Sequence, residues 1–100
     1  MIETLTVGKL KWHHITDPTE EDFVELREKF HFHPLDIEDC RSVNQRPKID
    51  IYDDYYFVIL QYPDFDRQDK FIFPKEVKLF WGQDYIITLE RKRWHVSQLF

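Results

Sequence analysis

Residues 48–60 read KIDIYDDYYFVIL, and the parsing of this stretch decides the fold. From Lys48 the pattern alternates with a period of two: Ile49 and Ile51 fall on one side of an extended chain, Asp50 and Tyr52 on the other. Asp53-Asp54 reads as a tight reversal. The run Tyr55-Tyr56-Phe57-Val58-Ile59-Leu60 that follows is apolar throughout, rich in aromatic residues and bounded by turn signals. It predicts a central strand covered on both faces.

Downstream, Pro63 to Pro74 reads as a polar loop carrying Phe65, Phe71, Ile72 and Phe73. Val77, Leu79 and Trp81 alternate in a further strand. Gly82-Gln83-Asp84 then turns the chain into the strand Tyr85–Leu89. Upstream, Asn44-Gln45-Arg46-Pro47 closes a short helix, because a residue before proline is pushed out of the helical region. That helix begins at Pro34, where a missing N–H costs nothing. Before it, Asp17-Pro18-Thr19-Glu20-Glu21-Asp22 is a helix start: Thr19 caps, Asp22 answers three residues on, and the acids suit the positive end of the dipole. Phe23, Leu26 and Phe30 continue at helical spacing and predict a helix over 20–30. Ile2 to Val7 and the run holding Leu10, Trp12 and His14 read as two short strands joined at Gly8-Lys9. The expected fold is α+β: a mixed β-sheet with helices packed on it, spanning residues 1–93. Trp94, Val96, Leu99 and Phe100 open a helical apolar face over 94–100, as expected of a following helix that continues in a longer chain.

Composition narrows the function. One hundred residues suffice for one domain. Nine Phe, five Tyr and three Trp against only two Gly argue for a packed core rather than disorder. A net charge of −5 leaves no basic stripe for phosphates, since Arg91-Lys92-Arg93 is short, so no nucleic-acid partner is expected. The lone Cys40 suits a reducing compartment. No signal peptide is expected, because Glu3 interrupts the apolar start. The longest apolar run, Tyr55–Leu60, falls far short of the roughly 20 residues that cross a bilayer, so the chain is expected to be soluble on its own.

Few residues offer chemistry. His31 and His33 form a His-x-His pair and His13-His14 lies elsewhere; such pairs can bind zinc, but no further ligands complete a tetrahedral set, and His33 suits a cap before Pro34. Cys40 follows three acids that raise a thiol pKa, and neither Ser42 nor Ser97 sits in a nucleophile motif. No enzyme is expected. The acids are the stronger candidates. Asp36 and Asp39, three apart, share a helix face, and Glu38 projects about 100° from Asp39. Two or three carboxylates on one short helix make half of a weak site for a hard divalent cation, which keeps several waters. The plain alternative is first-turn acids that stabilise a helix N-terminus. In Arg46-Pro47-Lys48, proline sets the entry to the next strand and the cations are expected to pair with nearby acids.

The order of segments resembles a known family. Trp12-x-x-Ile15, Asp17-Pro18-Thr19-Glu20-Glu21, Phe30-x-Phe32-His33-Pro34-Leu35, Ile37-Glu38-Asp39, Asn44-Gln45-Arg46-Pro47-Lys48, Tyr52-x-x-Tyr55-x-Phe57-Val58-Ile59-Leu60 and Tyr85-Ile86-Ile87-Thr88 run in sequence. Over about residues 10–93 this is similar to the N-terminal cytosolic domain of the CorA family of divalent-cation (magnesium) transporters. The resemblance implies the cytosolic part of an inner-membrane protein, a homopentameric funnel whose stalk, two membrane helices and Gly-Met-Asn pore motif lie outside these residues. It implies that Glu38 and Asp39 contribute to a weak regulatory magnesium site completed by a neighbouring subunit, with cobalt, nickel or zinc as other ions; Asp36 has no family match and stays a dipole acid. Two other readings remain: a zinc transporter domain of the ZntB branch, and a stand-alone, non-transporting interaction domain of the same fold.

Overall fold

The local signals are met where the chain can satisfy them locally. In the computed structural model, which describes residues 2–42 and 46–91, Thr19 caps the first helix, α1 (Glu20–Phe30). The Asp22 N–H donates to the Thr19 hydroxyl at 3.2 Å and the Thr19 N–H to the Asp22 carboxylate at 2.9 Å. Helix α1 ends at His31 in the left-handed region, φ 58°. The second helix, α2 (Pro34–Arg41), has proline in its first turn, and His33 is its N-cap: the ring Nδ1 accepts from the Leu35 N–H at 3.1 Å.

Around them run β1 (Ile2–Val7), β2 (Leu10–Thr16), β3 (Lys48–Ile51), β4 (Tyr55–Asp66), β5 (Phe71–Gly82) and β6 (Tyr85–Glu90). They form one sheet in the order β1-β2-β6-β5-β4-β3. Only β2 and β6 pair in parallel; every other pairing is antiparallel. Gly8, at φ 60°, makes the β1–β2 turn. The α+β mixed sheet is therefore the one expected: two strands, two helices, then a four-strand meander that brings β6 back beside β2.

Two expectations about β4 and β5 are corrected. The first is coverage. Tyr55, Phe57 and Ile59 are buried, whereas Tyr56 and Leu60, on the alternate positions, are 42% and 49% exposed. Both helices belong to the single connection between β2 and β3, and they cover one face. The core there joins Phe23, Leu26, Ile37 and Cys40 of the helices to Ile15, Phe57, Ile59, Phe80, Ile87 and Leu89 of the sheet. Phe32, in the link between the helices, stacks on Phe80 at 3.9 Å and on Phe30 at 5.2 Å. The opposite face presents Trp12, Tyr56, Leu60 and Trp81, with Tyr56 edge-on to Trp81 at 5.8 Å. The second correction concerns Pro63 to Pro74, which is not a loop. The β4–β5 ladder continues through it, with Pro63 opposite Pro74, and turns only after Asp66. Proline is tolerated there because β3 pairs with β4 only as far as Ile59, and β6 with β5 only from Val77. No third strand needs the missing N–H groups. The expected boundary at residue 93 and the helix start over 94–100 lie outside the described residues.

Candidate functional site

Helix α2 sorts its acids by depth. Asp36, Ile37 and Cys40 face the sheet, Glu38 faces outward, and Asp39 lies half-buried on the flank between them. Asp36 does not lie on the surface as a dipole acid: it is 1% exposed and receives two phenol hydrogen bonds, from Tyr55 at 2.8 Å and Tyr52 at 3.0 Å. The Tyr55 oxygen in turn accepts from the His33 N–H at 2.9 Å, tying the start of α2 to β4. Burial pushes the Asp36 carboxyl above its usual range, against the pull of the two phenols. Burial first, then the neighbouring carboxylate, pushes Tyr52 up to about 12. A carboxylate this deep with two donors is a structural clamp on α2.

Glu38 and Asp39 each hold a cation from this chain. Glu38, with its side chain 66% exposed, accepts from Arg41 at 3.0 Å. Arg41 also reaches back to Glu20 of α1, its Nε donating at 2.9 Å, and lies over the Phe23 ring at 5.2 Å. That contact with the guanidinium lowers the Glu20 carboxyl. Asp39, 24% exposed, accepts from the Lys48 ammonium at 2.8 Å, and the same ammonium stands 3.0 Å from Asp50. The two carboxylates raise Lys48 well above the usual lysine range. The expectation that a cation of Arg46-Pro47-Lys48 pairs with nearby acids is met at Lys48. At the other end of α2, the buried Lys78 ammonium donates to the Ser42 carbonyl, where the helix dipole is negative, and pairs with Glu76 at 3.2 Å.

The donor chemistry of Glu38 and Asp39 suits a hard, hydrated divalent cation: both are carboxylates at the surface, next to each other in sequence. Among the described residues, however, no three His, Cys, Asp or Glu side chains are grouped to hold a metal ion. The remaining oxygen ligands would be water or another surface. The four histidines among the described residues do not come together. His13 and His14, adjacent on a strand, point to opposite faces: His13 Nδ1 meets the Thr4 hydroxyl at 3.0 Å, and His14 meets Thr88 at 2.6 Å and Glu90 at 3.1 Å. His31 ends one helix and His33 caps the next. The Cys40 thiol is buried and pushed up to about 12, chiefly by burial rather than by the acids alone. It is a core residue, not a nucleophile.

Missed from sequence were the Asp36 clamp, the Glu20–Arg41 link between the helices and the Lys78 contact. A tyrosine pair three apart, facing an acid across a turn, was the available signal for the first.

The fold is that of the soluble domain of CorA. It resembles the soluble domain of CorA from Methanocaldococcus jannaschii with a TM-score of 0.68, at 20% identity, over 91% of this chain and 36% of that one. It resembles the ZntB cytoplasmic domain from Vibrio parahaemolyticus with a TM-score of 0.59, at 16% identity, over 84% of this chain and 34% of that one. At these identities the likeness is one of fold. The family follows from sequence: the model of the CorA-like Mg2+ transporter protein matches residues 7–100, and the chain belongs to that family. The Bacillus subtilis protein YfjQ is 36% identical over 89 residues, which are 87% of this chain and 27% of that protein. The cobalt/magnesium transport protein CorA of Thermotoga maritima is 29% identical over 82 residues, 81% of this chain and 23% of that protein. The chain spans about a quarter of the length of these relatives. Among the described residues no helix is long and apolar enough to cross a membrane.

Proposed function

We propose that this chain is the cytosolic regulatory domain of a CorA-type divalent-cation channel, and that Glu38 and Asp39 form its half of a cation sensor between subunits. The observation that carries this reading is the pair of adjacent carboxylates, Glu38 exposed and Asp39 half-buried at the flank, on a helix whose inner side is clamped by Asp36. A site assembled from two surfaces suits a sensor. Carboxylates facing one another across a subunit boundary repel unless divalent charge lies between them, so occupancy biases the population toward the closed assembly. Few donors per subunit and retained water keep affinity low, which lets the site half-fill near a working cytosolic concentration. Magnesium is the ion proposed, in a homopentamer anchored in the inner membrane by segments outside this chain.

The test is made in the full-length protein. Mg²⁺ is expected to protect the parent from limited proteolysis, and Glu38→Ala/Asp39→Ala is expected to lose most of that protection while still folding and assembling. Protection unchanged in the double variant would overturn the sensor. The likeness to the ZntB domain supports a second reading, zinc transport. Uptake of Zn²⁺ in preference to Mg²⁺ by cells expressing the full-length protein would favour it.

A further inference from the structure

We propose that Lys48 is a built-in counter-ion for the cation site, an ammonium that occupies Asp39 until a divalent cation displaces it and that then stays on Asp50. This rests on the reading of Asp39 as a cation ligand and adds how its affinity is set. Lys48 opens β3 on the face that carries the helices, so its side chain runs beneath α2. It touches Asp39 at 2.8 Å and Asp50 at 3.0 Å, and the ammonium lies 5.8 Å from the Phe57 ring centroid.

That geometry has two consequences. A divalent cation approaching Asp39 meets a carboxylate already neutralised, and must compete with a tethered charge whose effective concentration is high. Yet the competitor is not stranded when it yields. It keeps Asp50 and the aromatic face, so the exchange leaves no unpaired half-buried ammonium, the outcome that would make displacement prohibitive. The contrast with Glu38 sharpens the assignment. Its partner Arg41 is three residues away on the same exposed helix surface and already holds Glu20, so that pair constrains cation binding little. Lys48 is the positioning residue that tunes the site; Arg41 is not.

The experiment titrates the ¹⁵N-labelled chain with Mn²⁺, a paramagnetic divalent ion, and follows broadening of the Glu38, Asp39 and Cys40 amides. Lys48→Met is expected to tighten the apparent Kd at α2 about tenfold, the scale set by removing one charge at contact distance in a partly solvated setting. Lys29→Met changes net charge equally on the exposed side of α1, where Lys29 pairs with Glu25 at 3.0 Å, and is expected to leave α2 affinity unchanged. Asp39→Asn in the Lys48→Met background is expected to abolish the gain. Lys48→Gln serves in place of Lys48→Met if the latter loses native amide dispersion. Equal affinity at α2 in the parent and in Lys48→Met, or equal tightening by Lys29→Met, overturns the role of Lys48 and leaves the site standing. Absence of broadening at α2 in every variant overturns the counter-ion, while the sensor between subunits stands or falls on the proteolysis of the full-length protein.

Discussion

Asp36 shows what one buried carboxylate does to a helix. It sits beneath α2, where Tyr52 and Tyr55 donate to both of its oxygens, and burial still holds it above the usual carboxylate range. An acid whose folded pKa exceeds its unfolded one holds the extra proton in the fold, so its contribution is full below the unfolded value and lost as pH rises through the folded one. In urea titrations the stability of the parent relative to Asp36→Asn is therefore expected to fall as pH rises from about 4, the ordinary aspartate value, and then to level off. A difference that rises with pH contradicts the assignment. Asp36→Ala, which strands two phenol hydroxyls, is expected to cost about 1–3 kcal/mol at any pH in that range. At this scale the sequence was legible for His33, whose capping role follows from the proline after it. It was legible too for the pairing of Lys48. It was not legible for Asp36, because acidic residues near a helix start are routinely exposed and only the tertiary approach of β3 and β4 puts this one inside.

Elements were readable where their signals are local. The capping box of α1 and the proline of α2 fix both helix starts by contacts within a few residues, and the structure keeps those starts. Thr19→Ala is expected to lower stability by about 1 kcal/mol, seen as a lower urea midpoint with an unchanged slope; no change would mean that the Asp22 half of the box suffices. The β4–β5 hairpin was misread because prolines break a strand only where another strand needs their N–H, and which strand lies alongside is a property of the whole sheet. Coverage of β4 was misread for a related reason. Tyrosine and tryptophan tolerate either a core or a half-wet surface, so an unbroken apolar run does not by itself say that both sides are covered.

At the scale of the molecule, the helical cover among the described residues lies on one side of a six-stranded sheet. The other side is broad and aromatic, with Trp12, Tyr56, Leu60 and Trp81 each more than 40% exposed. Trp81 touches Tyr56 and pairs across the sheet with Ile86, which pairs with Trp12, so these side chains are neighbours on one face rather than scattered. The folded chain is expected to bind the dye ANS, and Leu60→Lys/Trp81→Lys is expected to remove most of that fluorescence at an unchanged melting temperature; dye binding that survives the pair would place the apolar surface elsewhere. Family, fold class and the positions of the helices along the chain were thus within reach of the sequence, whereas the sheet order and the one-sided cover of the described residues were not. The facing prolines of β4 and β5 have one more effect. An invading strand that tried to zip along either rim of the projecting arm would find the row of amide donors interrupted at the same level on both sides, leaving its own carbonyl there without an N–H to accept from. Pro63 and Pro74 are fence posts against fibril growth, set on the part of the sheet that reaches furthest from its own neighbours.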